Sequence, residues 1–163
     1  MQKAEKLFKY CCILFVSLGS AVIDLATKDI AFDYLYNNKQ GYVEVTNFFN
    51  LVVVRNFGVS FGMFQNPEYG VFIFPIIACI ISVYLLWYIK DYVHYLYATS
   101  VGMVIGGAIG NSIDRIMYGS VRDFLDFHAY GYHWPAFNYA DISICLGIGL
   151  LMLLDFKVIK LKS

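Results

Sequence analysis

The stretch GNSIDRIMYGSVRDFLDF, residues 110–127, decides how this chain is read. The 22 residues before Asp114, Tyr92 to Ile113, contain no Asp, Glu, Lys or Arg. Five charges then fall within 13 residues: Asp114, Arg115, Arg122, Asp123 and Asp126. An apolar run of about 20 residues has the length of a membrane-spanning helix. The charged cluster therefore stands at the end of a span, where ionisable groups are costly and usually mark function.

Composition agrees with that reading. The 163 residues are 60% hydrophobic and 15% charged, and the mean hydropathy is +0.61. Soluble domains are about 45–50% apolar and about 25% charged. The length suits one integral membrane domain, residues 1–163. Zero net charge and the lack of a basic stripe argue against a nucleic-acid partner. Cys11, Cys12, Cys79 and Cys145 all sit in apolar runs and read as small hydrophobes, with no disulfide or zinc spacing.

Working outward, Tyr69 to Ile89 gives a second uncharged run, of 21 residues. Two shorter runs, Tyr10–Ile23 and Ile142–Leu154, are bounded by Asp24, Asp141 and Asp155. They reach spanning length only with an aspartate at membrane level. The expectation is an all-α membrane fold: four transmembrane helices, near 7–28, 69–89, 95–112 and 138–159. The first run begins like a secretory signal peptide, but DLATK follows it in place of a small-residue cleavage site. It is expected to be a retained helix. The outer loop, about 29–68, is rich in Val, Phe and Thr between Tyr42 and Asn56, which predicts short strands in a small extramembrane platform. Segment 121–127, VRDFLDF, reads as re-entrant or interfacial. Gly102, Gly106 and Gly110 repeat every four residues; this is either a stripe for close helix packing or the ordinary glycine of membrane helices.

Lys3, Lys6, Lys9, Lys90, Lys157, Lys160 and Lys162 make seven of the twelve basic residues, and all fall on one side of this arrangement. By the positive-inside bias both termini are cytoplasmic. Asp24 and Lys28, then Asn56 and Gly58, then Asn111, Asp114 and Arg115, then Asn138 and Asp141 arrive from four segments at the opposite, outer end. Asp–Lys or Asp–Arg pairs there can simply tie helix ends together, which is half of the reading for Asp24, Lys28, Asp114 and Arg115. Asp141 has no basic neighbour in sequence. Two carboxylates sharing a site hold one proton between them, and such a pair can carry acid–base peptide hydrolysis. Spacing alone does not choose Asp123 and Asp141 over Asp114 or Asp126.

The chain resembles the lipoprotein signal peptidase (signal peptidase II) family along nearly its whole length. DLATK at Asp24–Lys28 resembles D-x-x-[ST]-K, and RNFGVSFG at Arg55–Gly62 resembles R-N-x-G-x-[AS]-[FW]-G. GGAIGNSIDRIMYGSVRDF at Gly106–Phe124 and FNYAD at Phe137–Asp141 resemble the family's two remaining motifs, and all four occur in order. Val59 departs from the family's usual alanine beside the substrate region. The resemblance implies an aspartyl endopeptidase of the bacterial inner membrane. Asp123 and Asp141 would be catalytic. Asp24, Lys28, Asn56, Gly58, Asn111, Asp114, Arg115 and Asn138 would support them or contact substrate. The implied substrate is a prolipoprotein cut just before its diacylglyceryl-modified cysteine. The implied partners are that substrate and membrane lipid, and the implied state is a monomer. No metal or cofactor is expected: His128, His133 and Asp126 lack the H-E-x-x-H helix of zinc proteases. A transporter would spread polar residues through the membrane depth, and an assembly factor would need no paired aspartates.

Overall fold

The computed structural model describes residues 3–38, 40–58 and 67–161. Val59, the rest of the RNFGVSFG motif to Gly62, and Lys162 lie outside these. The chain runs α1 (Lys3–Asn38), β1 (Tyr42–Thr46), β2 (Phe49–Asn56), α2 (Pro67–Tyr88), α3 (Tyr95–Tyr118), β3 (Val121–Ala129), β4 (Tyr132–His133) and α4 (Tyr139–Asp155).

Helix α1 does not stop near Lys28 as expected. Its 36 residues extend for about 54 Å at 1.5 Å each, well beyond a hydrocarbon core of about 30 Å. The extra turns are amphipathic, burying Phe32 and Leu35 completely or nearly so. The Phe32 ring meets the guanidinium groups of Arg55 and Arg122 at 5.6 and 5.8 Å. The stop is Gly41, at φ +86°, whose N–H returns to the Leu35 carbonyl at 3.0 Å. Helix α3 likewise runs past 112 to Tyr118 and ends on Gly119 at φ +72°.

Three helical stretches are long and apolar enough to cross a membrane: Lys3–Asn37, Gly70–Asp91 and Tyr95–Tyr118. The expected fourth span is shorter. Helix α4 has 17 residues rather than the 22 of 138–159, because the chain turns after Asp155 and Lys157 takes φ +56°. It still belongs to the bundle, packed along α3.

The glycine stripe packs helix on helix. A Cβ at Gly106 would lie 2.5 Å from the Ser17 carbonyl, and one at Gly110 would collide with the Asp24 carboxylate. Removing the side chain lets α1 and α3 backbones touch. At the end holding the chain's N-terminus, Ile13, Ile89, Tyr97, Val101, Leu151 and Leu154 form an apolar cluster. Buried Lys9 closes it, donating to the carbonyls of Ile89, Lys90 and Tyr92 at 2.9, 2.8 and 3.1 Å.

At the other end lies a four-stranded sheet, ordered β1-β2-β3-β4. Two of its strands come from the segment between α1 and α2, where strands are expected. The segment 121–127, read as re-entrant or interfacial, forms most of β3, antiparallel to β2, with Val54 opposite Asp123 and Asn56 opposite Val121. Gly119 reverses the chain after α3, so β3 lies back against the helix ends.

Candidate active site

The ends of the helices carry a layer of paired charges. Asp24, Lys28 and Asp114 are fully buried. Lys28 Nζ donates to Asp24 Oδ2 at 2.7 Å and lies 3.3 Å from Asp114 Oδ2. Asp24 Oδ1 accepts the Ala140 N–H at 2.9 Å, so α1 also satisfies a free donor in the first turn of α4. Asp114 takes the Arg122 backbone N–H at 2.9 Å and its Nε and Nη2 at 3.1 and 2.9 Å. Arg122 Nη1 reaches Asp29 at 2.6 Å. The guanidinium stays charged: burial works against it, but Asp114 and Asp29 raise its pKa above the ordinary value. Buried ions are tolerated when each has partners, and removing one partner strands the other.

Asn111 and Asn138 connect this layer to two further carboxylates. Lys28 Nζ donates to Asn111 Oδ1 at 2.9 Å. An ammonium offers only donors, so the Asn111 oxygen faces Lys28 and its Nδ2 faces the other way. There it donates to Asp141 Oδ1 at 2.9 Å. Asn138 caps α4 in a reciprocal box with Asp141: Asp141 N–H to Asn138 Oδ1 at 3.1 Å, and Asn138 N–H to Asp141 Oδ2 at 3.1 Å. The same Asn138 sends Nδ2 to Asn111 Oδ1 at 3.1 Å and to Asp123 Oδ1 at 2.6 Å.

Asp123 projects from β3 and is 1% exposed. Its second oxygen accepts Asn56 Nδ2 from β2 at 3.0 Å, while Asn56 Oδ1 accepts the Gly58 N–H at 3.1 Å. Burial pushes the Asp123 carboxyl up to about 7, and the charge of Asp141 pushes the same way; the Asn56 and Asn138 hydrogen bonds only partly oppose them. Arg115 closes the group, donating from Nη2 to the Gly58 carbonyl at 3.1 Å with its guanidinium 4.6 Å from the Phe74 ring.

One connected assembly thus contains Asp24, Lys28, Asn56, Gly58, Asn111, Asp114, Arg115, Asp123, Asn138 and Asp141. The placement separates two groups. Asp24, Lys28 and Asp114 tie α1, α3 and α4 together, whereas the hydrogen bonds to Asp123 and Asp141 come from amide groups, with the charge of Arg115 near both. The partner of Asp114 is Arg122 rather than adjacent Arg115. Sequence reading missed Arg122 and Asp29 in this role; the turn signal at Gly119–Ser120, which folds β3 back along α3, was the clue available.

Asp126 lies apart on β3. It accepts Asn50 Nδ2 at 2.8 Å and faces His133 Nδ1 at 2.9 Å, and the His128 and His133 rings stack at 4.9 Å. Burial opposes its ionisation, but the Asn50 and His133 hydrogen bonds hold its pKa below the usual carboxylate value. Among the described residues no three His, Cys, Asp or Glu side chains are grouped to hold a metal ion.

The comparisons with known proteins fit this arrangement. The family described as Signal peptidase (SPase) II matches residues 16–157. A lipoprotein signal peptidase of Syntrophotalea carbinolica is 42% identical over 154 residues, covering 93% of this chain and 95% of that protein. One from Thermodesulfovibrio yellowstonii is 40% identical over 153 residues, covering 93% and 97%. A solved bacterial membrane enzyme superposes with a TM-score of 0.71 at 29% identity, covering 93% of both chains.

Proposed function

The chain belongs to the signal peptidase II family of lipoprotein signal peptidases, and from that premise we propose that it is an aspartic endopeptidase using Asp123 and Asp141 as its dyad. The observation that carries the proposal is the position of Asn138. Its side chain donates to Asp123 at 2.6 Å and its backbone N–H donates to Asp141 at 3.1 Å, so one residue holds both carboxylates in register. With Asp123 pushed up to about 7, the pair holds one proton near neutral pH.

In the proposed reaction Asp141 is the ionised base. It takes a proton from a water that attacks the peptide carbonyl, while Asp123 gives its proton to the carbonyl oxygen. On collapse of the tetrahedral adduct Asp123 recovers that proton, and the proton on Asp141 passes to the departing amine. Preorganised donors from Asn56, Asn111 and Asn138 keep the carboxylates oriented throughout. The substrate is a prolipoprotein, cut before its diacylglyceryl-modified cysteine, whose lipid keeps the scissile bond near the membrane surface.

We further propose a bacterial inner-membrane enzyme, acting as a monomer, with both termini cytoplasmic and the dyad toward the outer face. The lysine bias supports this, as does the bond from Lys9 to the α2–α3 turn, at the end of the bundle away from the sheet.

The test is cleavage of a lipidated prolipoprotein by purified protein, with Asp123→Asn and Asp141→Asn beside it. Each substitution is expected to abolish turnover. Near-normal turnover in either variant removes that residue from the dyad, and inhibition by chelators would indicate metal chemistry instead.

A further inference from the structure

The two aspartates of the proposed dyad come from different elements, Asp123 from β3 and Asp141 from the first turn of α4. Asn138 spans them, so whatever seats Asn138 beside β3 sets their spacing. The chain reaches Asn138 through a return segment, 134–137, held against β3 at two points. Trp134 N–H donates to the Phe127 carbonyl at 2.8 Å, and Phe137 forms an isolated bridge with Leu125. Between these points Pro135 has no N–H to donate. In the bridge Phe137 N–H donates to the Leu125 carbonyl at 3.1 Å, and the Phe137 carbonyl accepts the Phe124 and Leu125 N–H groups at 3.1 and 2.9 Å. The Phe124 N–H belongs to the peptide that follows Asp123, and the Phe137 carbonyl to the peptide that precedes Asn138. One hydrogen bond thus joins the backbone on which the two halves of the site are mounted.

A bridge of one residue has no continuing ladder to keep its register, and side chains supply the rest. Asp123, Leu125 and Phe127 alternate onto the same face of β3, and Phe137, opposite Leu125, joins them. The Phe137 ring stacks on Phe127 with centroids 5.9 Å and planes 15° apart, and Phe127 stacks in turn on Phe49 of β2 at 4.8 Å and 30°. Phe127 is the middle ring of the three. It is 40% exposed, so filling the core does not account for it. We infer that Phe127 is a positioning residue for the dyad: its ring holds Phe137 in its bridge to β3 and so fixes the Asn138 side chain that spans Asp123 and Asp141. The inference rests on the proposed aspartic peptidase reading. Phe127 acts through Phe137 and takes no part in proton transfer. Its worth lies in geometry, since a displacement of about 1 Å in a reacting group can cost about 10²-fold in rate.

The test is steady-state cleavage of a lipidated prolipoprotein by Phe127→Leu and Phe127→Tyr across pH, with thermal unfolding to confirm that each variant is folded. Leucine keeps apolar bulk at a half-exposed site, and tyrosine keeps the ring. Phe127→Leu should lower kcat by about ten- to a hundredfold with KM nearly unchanged, and Phe127→Tyr should retain most of kcat. In Phe127→Leu the alkaline limb of the kcat profile should also move to lower pH. The charge of Asp141, which raises Asp123 more than the Asn138 hydrogen bond lowers it, then stands farther off. Phe137→Leu removes the same contact from the other side and carries the test should Phe127→Leu fail to fold. It should reproduce both changes, and the double variant should lose no more than either alone. A raised KM with kcat intact would make Phe127 a substrate contact. An unshifted pH profile, or additive losses, would leave it a purely structural residue. Each of these results overturns the inference. Cleavage by Asp123→Asn would refute the dyad itself, whatever the Phe127 variants do.

Discussion

Asp123→Asn should yield a protein that is inactive yet, above neutral pH, more stable than the natural chain. In the fold the Asp123 carboxyl is raised from an ordinary 3.8 to about 7, first by burial and then by the charge of Asp141. A raised carboxyl pKa means the native state prefers the neutral acid. Its stabilisation is complete below about pH 3.8 and is lost as pH rises through 7. At about 1.4 kcal/mol per pH unit, the natural chain gives up about 4 kcal/mol by pH 8 and beyond. The amide stays neutral and avoids that loss. It also brings a cost. Both Asp123 oxygens accept from NH2 groups, Asn138 at 2.6 Å and Asn56 at 3.0 Å. The new amide must turn its own NH2 toward one of them, and Asn56 cannot rotate without giving up the Gly58 N–H. One compromised buried hydrogen bond costs about 1 kcal/mol.

The balance is a gain of about 3 kcal/mol above pH 8 and a loss of about 1 kcal/mol near pH 4. For a chain of this size that corresponds to Tm about 6–12 °C higher on the alkaline side and slightly lower on the acid side. Thermal unfolding in detergent, followed by circular dichroism between pH 4 and 9, reads the difference directly. Turnover should fall by at least 10²–10⁴-fold, the ordinary worth of a general acid–base group. A difference in Tm that is the same at every pH would refute the reasoning, because only a titrating Asp123 makes it vary.

Asp141→Asn removes the charge that helps raise Asp123, so the pH at which the stability of the protein falls should move down; an unmoved profile would mean that the two carboxylates do not interact. Asp126 behaves in the opposite sense, since its carboxyl is depressed: Asp126→Asn should destabilise at pH 7, with the difference closing as pH falls below 3.8, and a deficit that persists in acid would contradict it. Arg122→Met strips Asp114 of two side-chain hydrogen bonds, leaving the backbone N–H in place, and should cost about 3–5 kcal/mol. Asp29→Asn, at the 59%-exposed end of the same chain of ion pairs, should cost under about 1 kcal/mol in the same denaturation assay. Gly106→Val should separate α1 from α3 at a cost of about 1–3 kcal/mol or more; an unchanged Tm would show that the helices pack differently.

The errors of sequence reading share a physical origin. The expected ends of the first and third helices, near Lys28 and Ser112, follow from the charges at Lys28 and Asp114, because a lone ion halts burial. Here they neutralise one another, so both helices continue until a glycine with positive φ turns the chain, at Gly41 and at Gly119. The strand β3 was hidden for a related reason. Half-buried strands advertise themselves by alternation, but Val121, Arg122, Asp123 and Phe124 are all buried, so no polar face alternates with an apolar one. Its charges are accommodated by residues far away in sequence: Asp114 for Arg122, Asn56 and Asn138 for Asp123, Asn50 for Asp126. Such partners become visible only when the sheet is assembled. The convergence of polar residues was legible because four consecutive segments must bring alternate ends to the same side, whatever their side chains do.

The choice among aspartates turns on the same distinction between paired and unpaired charge. Asp24 and Asp114 share Lys28, Asp114 also has Arg122, and Asp126 has His133. Each of those carboxylates faces a neighbouring cation or a neighbour able to become one. Among the described residues neither Asp123 nor Asp141 makes a salt bridge. Their hydrogen bonds come from three neutral asparagines, which orient a carboxyl without cancelling its charge. Burial and the charge of Asp141 then raise the Asp123 carboxyl to about 7 against the Asn56 and Asn138 hydrogen bonds and the charge of Lys28, into the range where a proton can be both held and released at neutral pH. Sequence spacing could not make this separation, because Asp114, Asp123 and Asp126 lie within 13 residues of one another. The basic side chains that pair directly with two of them and not with the third are distributed by the fold.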